Sequence, residues 1–296
     1  MSTALPRTLP GADAVPGTLT ALARSAVLRH PSVIFGAVVL LILTVMAIFA
    51  PYLGTVDPRA LEPAERMRGP SEAHWFGTDF YGRDLYTRVV YGARISLIVG
   101  VIVAVLSIAI GLAIGLVAGY VRWLDGVIMR FMDGLMAIPG ILLAIAMIAL
   151  SGASLATVIL AITIPDIPRV VRLVRSVVLT IREELYVQAA IAVGTRLPKV
   201  LIKHVLPNTI APLIVQGTYV AASAILAEAI LSFLGAGIPP EIPTWGNIMA
   251  EGRIYFMVAP RIILFPGICL AFAILAVNVL GDGLRDTLDP RLVKRM

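Results

Sequence analysis

The chain has 296 residues, 59% of them hydrophobic and only 14% charged, with a mean hydropathy of +0.93. Soluble domains average about 45–50% apolar and about 25% charged, so this composition excludes a disordered chain and an ordinary soluble enzyme. The net charge of +6 on 24 basic residues fits membrane anchoring better than nucleic acid, and the single Cys269 excludes an intrachain disulfide or a cysteine-based metal site.

Residues 1–18 are rich in Pro, Ser, Thr, Gly and Ala and read as a disordered cytoplasmic tail. Residues 19–29 read as a short helix on the inner surface. The first charge-free stretch, between Arg29 and Asp57, has its apolar heart at residues 33–53 and is too long for a cleavable leader. The second span is expected at 95–121, between Arg94 and Arg122. Residues 134–165 are too long for one upright span, and the Ser-Gly-Ala-Ser run at 151–154 offers a turn. This predicts a third span at 127–150 and a fourth at 155–174, the latter kinked at its inner end by Pro165 and Pro168. The fifth and sixth spans are expected at 210–234 and 262–280. The resulting class is an all-α, polytopic membrane protein with six spans. It divides into a cytoplasmic tail (1–30), a first span (31–56), an extracytoplasmic segment (57–93), a five-span core (94–284) and a cytoplasmic tail (285–296). With both termini in the cytoplasm, 16 of the 24 Lys and Arg face inward and 8 face outward.

Within this frame a few residues invite a function. Gly111, Gly115 and Gly119 form two overlapping GxxxG repeats, which suit either packing inside this chain or a contact between subunits. Residues 183–193 carry good helix formers, Gly194 fits a helix stop and Pro198 follows, giving a short cytoplasmic helix between spans four and five. Such a helix either seats in a partner's groove or lies on the headgroups.

That loop, QAAIAVG followed by HVLPN, resembles the EAA-xxx-G…LP loop of binding-protein-dependent ABC importer permeases. The outer HWFGTDFYGRD segment, AEAILSFLGAGIPPEIPTWGN and NVLGDGLRDTLDPR are similar to the dipeptide, oligopeptide and nickel branch, and to its C-type permease subunit. The resemblance implies an ATPase-docking coupling helix at Tyr186, Gln188, Ala189, Ala190, Gly194, Leu206 and Pro207. Gln188 departs from the family's glutamate, keeping an acceptor oxygen but losing the charge, and Glu184 lies one turn earlier to supply one. The implied partners are a homologous second permease, two ATPase subunits, an extracytoplasmic substrate-binding protein and membrane lipid, with no nucleic acid. ATP and Mg would be held by the ATPase subunits, so this chain is expected to bind no cofactor or metal of its own.

In the outer signature loop Gly77 and Gly82 allow tight turns, while Asp79, Arg83 and Asp84 offer charge-assisted hydrogen bonds. The loop reads as a locked entry to the second span or as a contact with the binding protein or substrate. The acidic spacing of a calcium loop is absent. Glu228 is expected near the outer face, in a water-filled vestibule or hydrogen-bonded to a neighbouring helix, and Asp166 at an inner end, pairing with Arg169 or Arg172. His204 has no second metal ligand at suitable spacing, and Trp245 is expected to anchor the outer interface or meet a docking protein.

No phosphate-loop, nucleophile-elbow or HExxH motif occurs, which predicts a transport subunit and not an enzyme. The competing class is a self-sufficient proton-coupled carrier using Glu228 or Asp166. A membrane scaffold without transport is a weaker fit, because of the coupling-type loop.

Overall fold

The computed structural model describes residues 31–288, so the expected disordered tail, the surface helix at 19–29 and the last residues of the basic C-terminal tail lie outside the described residues. Among the described residues the chain is helical, with no strand beyond one isolated bridge between Thr78 and Asp84. The helices are α1 (Pro31–Ile48), α2 (Leu85–Tyr120), α3 (Arg122–Ala137), α4 (Gly140–Ser151), α5 (Leu155–Ile181), α6 (Leu185–Ala192), α7 (Leu197–Val200), α8 (Leu206–Phe233), α9 (Trp245–Gly252) and α10 (Arg261–Leu288). Four stretches are long and apolar enough to cross a membrane: α1, α2, α7 through α8, and α10. The bent pair of α3 and α4 makes a fifth if counted as one span.

Three differences from the sequence expectation bear on the site, besides ends that shift by several residues, with α1 closing at Ile48 and α10 running on to Leu288. α2 begins ten residues before the expected 95, because the Asp84 carboxylate accepts the Thr87 N–H at 2.7 Å and caps the helix there. The expected third span is not one rod. It breaks between Ala137 and Gly140 with an 86° bend. Pro139 has no N–H to continue α3 and forces Ile138 into an extended conformation (φ −92°, ψ 127°). α5 continues through Pro165 and Pro168 to Ile181, past the expected end at 174. The turn between α4 and α5 lies where the Ser-Gly-Ala-Ser run puts it. Gly152 takes φ +82° and the Ser154 hydroxyl accepts the Thr157 N–H at 3.1 Å.

α2 and α5 run parallel in contact. A Cβ on Gly111, Gly115 or Gly119 would lie 2.5–2.6 Å from Cβ of Val170, Val174 and Val178 in turn. All three valines are fully buried. The glycine stripe is thus spent on packing inside this chain, and the subunit-contact reading is overturned. The missing side chains let two backbones approach closely enough for dense van der Waals contact, which holds helices together where apolar burial gives little drive. α8 runs antiparallel to α2, with Gly100 against Ile225 and Gly217 against Ile108. α10 runs antiparallel to α1, with Gly36 against Ala276 and Gly283 against Val33. These pairings give the bundle two ends. One carries residues 54–84 and α9, the other α6 and α7.

Candidate functional site

At the first end the backbone of residues 77–84 folds on itself. The Asp79 Oδ1 accepts the N–H groups of Tyr81 (2.8 Å) and Arg83 (2.9 Å). Gly82 adopts φ +79°, and a Cβ there would lie 1.9 Å from the Glu62 carbonyl oxygen. Gly77, at φ +78°, would meet the Arg68 carbonyl at 2.4 Å. Glycine is therefore required at both positions by conformation and by space.

This turn aims Asp79 and Arg83 at two residues the sequence did not single out. Asp79 Oδ2 receives Arg83 Nε at 2.6 Å and Arg88 Nη1 at 2.9 Å. Glu251 Oε2 receives Arg83 Nη2 at 2.5 Å and Arg88 Nη1 at 3.1 Å. Two carboxylates and two guanidiniums thus alternate in a cluster that ties the start of α2 to α9. Arg88 is 1% exposed, so its charge depends on these partners. Burial pushes the Glu251 carboxyl up to about 7, with the Arg83 charge pulling the other way. No local motif announces Glu251, because its partner Arg83 is 168 residues away. Arg88 had a signal: an arginine inside the apolar run that opens α2. Asp84 binds elsewhere, taking His74 Nδ1 at 2.9 Å on one oxygen and capping α2 with the other.

Glu228 is fully buried and accepts the Ser232 hydroxyl at 2.8 Å and the Ser96 hydroxyl of α2 at 3.4 Å. This is the hydrogen bond to a neighbouring helix expected from sequence. Trp245 is a correction. It is fully buried, and its indole N–H donates to the Val89 carbonyl at 3.0 Å, so it neither anchors an interface nor meets a docking protein. A capping box between Thr244 and Asn247 starts α9 there, and Gly92 leaves room for the ring.

At the opposite end α6 stands with one buried anchor, Val187, while Leu185, Tyr186, Ile191 and Val193 are exposed. Gly194, at φ +80°, ends α6. Its N–H donates to the Ile191 carbonyl (2.9 Å), and the Thr195 N–H donates to the Ala190 carbonyl (3.0 Å). This pair of hydrogen bonds is a Schellman stop, and none of the described residues lies within 4 Å of where a Gly194 Cβ would be. Gln188 is exposed, and its side-chain amide donates to the Glu183 carbonyl at 3.1 Å. Ala189 is exposed and Ala190 half-buried on the same helix. Leu206 and Pro207 open α8. Pro207 has no N–H, and the preceding turn, Leu201–Val205, is a π turn in which the Leu206 N–H reaches back to the Leu201 carbonyl. His204 packs near the Tyr186 ring (6.1 Å between centroids), and Asn208 joins them by donating to the Tyr186 hydroxyl and the His204 carbonyl. No cluster of metal-binding side chains exists among the described residues.

Asp166 pairs with Arg169 at 3.2 Å, while Arg172 turns to Asp133 at 2.6 Å. It is not at a helix end. Eleven residues into the 27-residue α5, it lies about 17 Å from the first residue and about 22 Å from the last. It lines a cavity of about 440 Å³ between the α3–α4 bend, α5 and α8. The Pro139-Gly140 dipeptide that makes this bend was a readable break signal in the sequence.

The fold resembles the inward-facing MetNI methionine ABC transporter, with a TM-score of 0.59 at 19% identity over 69% of this chain and 98% of that chain. Among curated proteins, a probable peptide ABC transporter permease of Sinorhizobium fredii is 54% identical, covering 90% of this chain and 91% of its own length. A dipeptide transport system permease of Alkalihalophilus pseudofirmus is 44% identical, covering 89% and 87%. A glutathione transport system permease of Escherichia coli is 40% identical, covering 89% and 88%. Residues 18–70 match the N-terminal transmembrane domain of oligopeptide transport permease C. Since residues 108–294 match the binding-protein-dependent transport system inner membrane component, the chain belongs to that family of multi-pass ABC importer permeases, in its C-type branch.

Proposed function

We propose that the chain forms half of an import pathway for short peptides and couples to ATPase subunits through α6. The observation that carries this reading is the exposure of Leu185, Tyr186 and Ile191 on a helix with one buried anchor, and of Val193 beside its glycine stop. A short apolar helix offered at a bundle end suits insertion into a partner's groove. The relatives named for peptide, dipeptide and glutathione transport supply the substrate class. The full pathway would need a second permease, two ATPase subunits holding ATP and Mg, and an extracytoplasmic binding protein. In this reading α1, α2, the α3–α4 pair, α5, α8 and α10 are six spans, residues 54–84 face outward, and α6 faces the cytoplasm. ATP closes the ATPase pair, α6 moves with it, and the bundle changes the side to which it opens; the loaded binding protein favours the state it contacts best. A proton-coupled carrier using Glu228 is disfavoured by that residue's enclosure among hydroxyl donors.

Replacing Gly194 by tryptophan tests the coupling role. ATP-driven peptide uptake into proteoliposomes containing the assembled importer is expected to fall at least about tenfold while the subunits still copurify; unchanged uptake would sink the docking role of α6.

A further inference from the structure

The cavity at the α3–α4 bend has the chemistry of a ligand site. Its volume of about 440 Å³ falls in the ~300–1,000 Å³ range of small-ligand pockets. The walls are mostly apolar, from Met136, Ile141, Leu226 and Ile230, and the charged side chains among its lining residues are Asp166 and Arg169. An ionisable pair half-way along a helix of a membrane bundle is expensive to keep and ordinarily faces a functional cavity. Here the pair is open to a newcomer. Arg169 gives one nitrogen to Asp166, and its side chain is 59% exposed. Among the described residues Asp166 makes that single hydrogen bond, on Oδ1, and its second oxygen has no partner.

The bend adds a third element. α4 starts at Gly140 with no side-chain cap, and its first two residues, Gly140 and Ile141, line the same cavity. Uncapped helix N-termini favour carboxylates. An acid, a guanidinium and a helix N-terminus therefore surround one apolar space.

From this arrangement we infer that the cavity is a transient peptide station. Asp166 would take the free α-ammonium of a short peptide, and Arg169 with the α4 N-terminus its α-carboxylate. Apolar walls without other charges would accept varied side chains, so recognition would rest on the two termini. The inference rests on the peptide reading proposed above.

A dipeptide carrying a diazirine side chain tests it, using the assembled importer in detergent without its binding protein. In wild type, irradiation is expected to label residues of α4, α5 or α8 at the cavity. Excess unlabelled dipeptide should reduce labelling at least about tenfold, and the N-acetylated, C-amidated dipeptide less than about twofold. Asp166→Asn and Arg169→Gln should each lose about tenfold in labelling, with Asp166→Glu recovering most of it. The variant complexes should elute intact with all their subunits, so that lost labelling reports the cavity and not assembly. Equal competition by the blocked dipeptide, or no labelling at the cavity in wild type, would overturn the station. Uptake of a radiolabelled dipeptide by the wild-type complex in proteoliposomes separates the two readings. Absent uptake would overturn the peptide assignment and the station with it, whereas normal uptake with no cavity labelling would overturn the station alone.

Discussion

Gly82 and Gly194 both hold φ near +80°, at opposite ends of the bundle, in contrasting surroundings. Around Gly82 the chain is crowded to backbone contact, and its neighbours Asp79 and Arg83 are buried in ion pairs with Arg88 and Glu251. Around Gly194 there is open space, and the apolar side chains beside it face outward. One end pairs its carboxylates with guanidiniums of its own, though Arg88 Nε and Nη2 stay buried without a hydrogen-bond partner among the described residues. The other leaves apolar surface without a partner. The same glycine conformation thus serves internal locking in one place and presentation in the other, and only the surroundings tell them apart.

The largest expected effect breaks the locked end. Arg88→Ala would leave Asp79 and Glu251 with one guanidinium between them, at a cost of about 3–5 kcal/mol. Thermal unfolding of the detergent-solubilised importer should show it as a lowered midpoint or lost yield, and an unchanged midpoint would deny the cluster its structural role. Next comes Gly82→Ala, where backbone strain and the Glu62 carbonyl clash together should cost about 2–4 kcal/mol by the same measurement.

Glu251 gives the locked end a pH dependence. Its folded value, raised to about 7, lies above the ordinary 4.5, so the folded state holds the proton more tightly than the unfolded chain. Its contribution is full below about pH 4.5 and is lost as the pH rises through about 7. The midpoint of wild type minus that of Glu251→Gln should therefore fall between pH 4.5 and 7.5; a flat difference would remove Glu251 as the source. The smallest effect sharpens the contrast. Gly194→Ala meets no neighbour and should cost only about 1 kcal/mol of backbone strain, leaving the midpoint within a few degrees of wild type.

Much of the architecture was legible because membrane helices are written locally. Apolar runs marked the spans, the Ser-Gly-Ala-Ser run marked the α4–α5 turn, and the Gly194 stop marked the end of α6. The start of α2 was missed because Asp84 caps it before the apolar run begins, and the third span was misread because Pro139-Gly140 lay inside an apolar stretch. Trp245 was misplaced for a different reason. A tryptophan beside a span ordinarily reads as an interfacial anchor, and its burial depends on space left by Gly92, 153 positions earlier.

The sequence by itself determined a helical membrane permease with a glycine-stopped helix between two of its apolar stretches, since each of those features is encoded within one window of residues. Tertiary structure alone decided that the glycine stripe of α2 faces Val170, Val174 and Val178, that Glu251 completes the Asp79–Arg83–Arg88 cluster, and that Asp166 lines a cavity. Those choices join residues far apart in the chain. They are fixed by which helix faces can approach closely and by the need of buried charges for partners, and neither condition is visible in a local pattern.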